Sequence, residues 1–138
     1  MSGKMIIGWG LGLFCTALVV LGAYVRLAPS DPELWHSMPE QVENRDMEGG
    51  AMRVVAAGPN GLSRFDMIAR DTPRVKVLVG SVGEGMVTYV ARSGFWGFPD
   101  YVTARQAGDT LELFSRLRFG RSDFGVNAKR LDNWISQI

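Results

Sequence analysis

The sequence predicts an α+β protein: one N-terminal transmembrane helix followed by a small antiparallel sheet with two or three helices on it. Three observations predict it. An uncharged apolar run covers Met5–Val25, hairpin signals separate alternating segments in the second half, and helical periodicity brackets those segments on both sides. The chain divides into an anchor over residues 1–27, a linker over 28–50 and a domain over 51–138.

At about 1.5 Å per residue, Met5–Val25 reaches about 31 Å, close to the ~30 Å hydrocarbon thickness of a bilayer. A cleaved signal peptide is the rival reading. Its apolar core is shorter and ends in small residues, whereas Leu21 puts a large side chain where a cleavage site needs a small one. Phe14 likewise disfavours lipidation at Cys15, the one cysteine. Lys4 with the free amine on one flank and Arg26 on the other place the N-terminus in the cytoplasm and the domain outside. Gly8, Gly12 and Thr16 recur at one-turn spacing and offer a second helix a close approach, with Trp9 and Tyr24 as interfacial anchors.

Residues 28–50 read as linker. Pro29, Pro32 and Pro39 interrupt helices, and Asp31 to Glu48 carries six acids against Arg45 alone. Leu34 and Trp35 want burial there, either on the domain or at the membrane surface. Met52–Ala57 is a short strand, Gly58–Gly61 a turn, and Leu62–Asp71 a helix with Leu62, Phe65, Ile68 and Ala69 on one side, stopped by Pro73. Val75–Val79 and Met86–Arg92 form a hairpin across Gly83–Gly85, and Tyr101–Arg105 and Thr110–Arg118 a second across Gly108-Asp109. A last helix, capped by Ser122 or Asp123, carries Val126, Arg130, Leu131, Trp134, Ile135 and Ile138 at helical spacing.

The net charge of +1 gives no imbalance suited to nucleic acid, and twelve of the fifteen basic residues are Arg. The lone His36 and the absence of cysteine after residue 15 leave no metal or thiol chemistry to expect, and no cofactor is expected. Gly80–Gly85 lacks a lysine and lies between strands, so it reads as a turn and not a phosphate loop. The strongest site candidate is the cationic group Arg116, Arg118, Arg121, Lys129 and Arg130. Arg116 and Arg118 share a strand face, and Arg121 stands at the entrance to the last helix. The group suits a phosphate, an anionic lipid headgroup or a partner's carboxylate; alternatively Asp100, Asp123 and Asp132 pair with it and Asn127 satisfies nearby backbone. The aromatic group Phe95, Trp96, Phe98 and Tyr101, with Pro99, reads as core or hairpin cover.

From Pro73 onward the chain resembles the DUF1499 family, a domain of unknown function. The resemblance rests on Gly94–Val102 and on the run Ser115 to Arg130, which is similar to the family's SRxGxSDxGxNxxR signature. Tyr101 departs from it where many members carry a second Asp, which weakens any role for paired carboxylates there. The resemblance implies a secreted, lipoprotein-like or membrane-anchored bacterial protein and no particular activity.

These readings converge on a non-catalytic protein of the bacterial inner membrane, single-pass, with its domain in the periplasm. It would contact the lipid bilayer and other integral membrane subunits, as an accessory or stabilising subunit of a larger complex. The first alternative is a periplasmic binding module for anionic lipid or phosphate. The second, an envelope hydrolase, requires Asp100, Glu112 and Asp123 to meet in one open cleft.

Overall fold

A computed structural model describes residues 2–138. The apolar helix α1 spans Gly3–Leu27, with a mean hydropathy of 2.1 over its most apolar window. It is long and apolar enough to cross a membrane; a signal sequence near an N-terminus has the same character. The short helix α2, Pro32–Trp35, follows. Pro32 opens it and the Asp31 carboxylate accepts from Glu33 N at 3.0 Å, the pairing a helix start favours.

Six strands form one sheet: β1 Arg45–Met47, β2 Gly50–Val55, β3 Val75–Ser81, β4 Met86–Arg92, β5 Pro99–Ala107 and β6 Thr110–Leu117. Their spatial order is β1-β2-β6-β5-β4-β3, each neighbour antiparallel. The β3–β4 and β5–β6 hairpins expected from the turn residues are both present. Helices α3, Gly61–Asp71, and α4, Val126–Ile135, pack on one face. The α+β arrangement is therefore as the sequence predicts.

Alternation along the strands explains the layering. Val87 and Tyr89 of β4, Val102 and Ala104 of β5, and Leu111 and Leu113 of β6 point toward α3 and α4, and all are fully buried. Phe65, Leu62, Leu131 and Trp134 complete this core, with Phe65 and Trp134 edge to face at 5.4 Å. Tyr89 reaches through it to donate to Asp66 at 2.7 Å. The first turn of α3 takes a tertiary cap: Leu62 N donates to Gln106 Oε1 of β5 at 2.8 Å.

The opposite face is where residues 28–50 depart from a simple linker. Residues 45–47 add the edge strand β1, and β2 begins at Gly50. Residues 28–36 lie across β4, β5 and β6. Trp35 stacks on Tyr101, Ser30 Oγ meets the Tyr101 hydroxyl at 2.6 Å, and His36 Nδ1 meets Thr88 Oγ1 at 2.8 Å. Trp35 thus takes the docking alternative, while Leu34 remains exposed.

Candidate functional site

The structure separates the five sequence-selected cations. Arg116 and Arg118 share the face covered by residues 28–36. Arg116 Nη1 donates to Thr103 Oγ1 at 2.8 Å, its other amine donates to Trp35 O, and its guanidinium lies 4.4 Å from the Phe114 ring centroid. Burial pulls its pKa down to about 10, so it stays charged at neutral pH. Arg118 donates to Pro29 O at 2.9 Å and to the Tyr101 hydroxyl at 3.1 Å. Both arginines therefore staple the 28–36 segment to the sheet.

Arg130 lies on the other face. It pairs with Asp100 at 3.0 Å, with only 16% and 15% of the two side chains exposed, and donates to Asn127 Oδ1 at 2.6 Å. Ser115 and Asn127, both fully buried, hydrogen-bond to each other beside it. The Asp123 carboxylate accepts from Gly125 N, Asn127 N and Asn127 Nδ2 at 2.8 to 3.0 Å. Burial opposes the Asp123 charge, but those donors outweigh it and hold the carboxyl below the usual carboxylate range. Asp100 goes the other way, because burial outweighs the Arg130 charge. Ser115, Asp123, Asn127 and Arg130, which carry the family resemblance, thus close one polar knot locking β5 and β6 to α4. Asp132 pairs instead with Arg53 at 2.8 Å. Arg121 and Lys129 are exposed and have no side-chain bond among the described residues. Glu112, paired with Arg105 at 2.7 Å, is on the sheet face away from Asp100 and Asp123, so the three carboxylates share no cleft.

A different group of cations converges where α1 ends. The connection between β4 and β5, residues 93–98, leaves the sheet and runs beside the last turns of α1. Arg26 donates to Trp96 O at 3.2 Å and to Phe95 O, and the Trp96 ring sits 3.6 Å from the Cβ position of Gly22. Arg92 donates to Gly97 O at 2.8 Å and to Val25 O at 3.4 Å, closing the helix C-terminus. Gly97 is required here: its φ is 72°, and a Cβ would stand 3.1 Å from Arg26 Cγ. The aromatic group therefore departs from the expected core placement. Tyr101 and Pro99 are buried, but Phe95 is 78%, Trp96 41% and Phe98 37% exposed, because their segment follows α1 rather than the sheet. Phe119 joins them, edge to face with Tyr24 at 5.9 Å.

Between this segment and the β3 edge lies a groove of about 680 Å³, whose lining includes Arg26, Arg74, Lys76 and Arg92 with Leu78 and Val90 and contains no acid. None of these cations forms an ion pair among the described residues. The sequence hides this cluster, since apart from Arg74 and Lys76 its members are at least 16 residues apart. A second groove, about 640 Å³, runs along α1 past Met5, Gly8, Trp9, Gly12 and Thr16. Among the described residues, and apart from the helix's own backbone, nothing lies within 4 Å of the Cβ positions of Gly8 and Gly12. Thr16 Oγ1 donates to Gly12 O at 3.0 Å, so its hydroxyl is satisfied within the helix.

Fold and surface together define a class: a small α+β domain fastened, through Arg26, Arg92 and Trp96, to the end of an apolar helix of membrane-crossing length. A family model described as a protein of unknown function, DUF1499, matches residues 27–138, and the chain belongs to that family. No curated protein and no solved structure matches it.

Proposed function

We propose that this is a non-catalytic, single-span protein of the bacterial inner membrane with its domain in the periplasm, acting as an accessory or stabilising subunit of a larger membrane protein complex. The observation that carries this reading is the open Gly8–Gly12–Thr16 face of α1, uncovered by the other described residues. Inside a bilayer, helices associate through close packing and not through expulsion of water, so a groove floored by small residues suits a neighbouring helix. The other end of α1 is fastened to the domain, so a partner gripping the helix also fixes the domain over the bilayer.

The test is purification of the native full chain in mild detergent, with mass spectrometry of what accompanies it. Partner subunits should co-purify with the wild type and be lost from a Gly8→Ile/Gly12→Ile variant that still inserts. Recovery of this chain alone would count against the reading. A second reading, a binding module for an anionic lipid or phosphate, is favoured by the uncompensated cations of the groove at the helix end.

A further inference from the structure

We propose that the groove bounded by Arg26, Arg74, Lys76 and Arg92 binds the phosphate-bearing headgroup of an anionic phospholipid in the leaflet where α1 ends. This rests on the membrane-spanning half of the function proposed above and not on the helix partner.

Charge is the first argument. The chain neutralises many of its buried and half-buried cations: Arg53 with Asp46 and Asp132, Arg105 with Glu112, Arg130 with Asp100. The groove instead gathers four cations with no acid in its lining. Arg26 and Arg92 spend their donors on backbone carbonyls of the 93–98 segment and α1, which leaves their charge uncompensated. Lys76 has no side-chain bond among the described residues. Arg74 adopts the left-handed conformation, φ 61°, fixed by Arg92 N donating to Arg74 O at 2.9 Å, and its guanidinium stands beside Gly94. Cations so placed match a phosphate's spread charge.

Depth is the second argument. Arg26 closes the apolar run, and Trp96 rests on Gly22, one turn further into it. That is the level at which Trp and Arg side chains meet headgroups. The groove continues through Arg26 and Gly94 into a shallower one lined by Leu18, Val19, Gly22, Phe95 and Trp96. A headgroup among the cations therefore finds an apolar path for its acyl chains along α1. A soluble phosphate would have no use for that path, which is why the lipid is the assigned occupant.

The experiment uses the full chain in non-ionic detergent, exposed to equal amounts of short-chain phosphatidylglycerol and phosphatidylcholine, with bound lipid counted by native mass spectrometry. Phosphatidylglycerol should be retained preferentially. Arg74→Gln/Lys76→Gln should weaken its binding about thirtyfold, taking ~1 kcal/mol for each cation at the bilayer surface. An Arg121→Gln/Lys129→Gln control, equal in charge change but elsewhere, should keep the preference. Four results would overturn the assignment: equal retention of the two lipids, a preference that survives Arg74→Gln/Lys76→Gln with the fold intact by circular dichroism, a preference lost equally in the control, or displacement of the lipid by millimolar inorganic phosphate. A chain that brings down partner subunits yet shows no lipid preference sinks this inference alone. A chain with the preference and no partner sinks the subunit reading alone.

Discussion

Trp35 stacks on Tyr101 with ring centroids 3.9 Å apart and planes 12° from parallel, and this contact turns an acidic, proline-interrupted segment into a cover for the second face of the sheet. Around it, Arg116 and Arg118 donate to the Trp35 and Pro29 carbonyls, and Thr88, Thr103 and His36 form a hydrogen-bonded chain beneath. Trp35→Ala should remove the stacking and the packing together and lower stability by about 2 kcal/mol, less than for a fully buried Trp because the side chain is half-exposed. Urea denaturation measures the loss. Limited proteolysis should show new cleavage within residues 31–44, and unchanged protection there would refute the role of Trp35 as the clamp.

The Arg130–Asp100 pair sits in the polar knot under α4, with both side chains largely buried. Arg130→Met should cost about 3 kcal/mol, because it leaves the Asp100 carboxylate buried without its counter-charge. Asp100→Asn/Arg130→Met should recover much of that loss, because no buried charge then remains. A double variant as unstable as the single one would mean that Arg130 acts through Asn127 and Ser115 instead.

Gly80 stands in β3 with φ 88°, just past the register shift between Val77 and Val79. A Cβ there would meet Met86 O at 2.2 Å and His36 Cε1 at 2.9 Å. Gly80→Ala should therefore destabilise by about 2 kcal/mol or more and release His36 from Thr88, visible as a shift of the His36 ring resonances in NMR. An alanine variant of wild-type stability would remove the steric argument.

Acid should weaken the junction of β2 and α4. The hydrogen bond from Arg53 holds the Asp132 carboxyl below the usual carboxylate range, with burial opposing more weakly. The folded state thus prefers the ionised form. Its stabilisation is present above the unfolded-state carboxylate value and is lost as pH falls through the depressed one. Wild type and Asp132→Asn should differ in denaturation midpoint at neutral pH and converge in acid. A difference that persists unchanged into acid would contradict the ion pair.

Much of the sheet was legible because strand signals are local. Met86–Arg92 was delimited to the residue by alternation and turn chemistry, and Leu62, Phe65 and Ala69 were placed on the buried side of α3 by periodicity alone. The edge strand Arg45–Met47 was not legible, since a polar three-residue strand has no alternating pattern and exists only because β2 offers a free edge. The segment Phe95–Phe98 misled for a similar reason. Its apolar content says that it leaves water, but not whether it enters the core or lies against another element, and the choice was made by Gly22 and Arg26, some seventy residues away.

The sequence by itself determined the apolar helix, the α+β class and the two hairpins, because each follows from residues within one turn or one strand of each other. Only the tertiary structure decided which cations meet. Charges set no local period, so Arg116, Arg118 and Arg130, neighbours in the chain, fall on opposite faces of one sheet. Arg26, Arg74, Lys76 and Arg92 are brought into one groove by the packing of the β4–β5 connection against the end of α1.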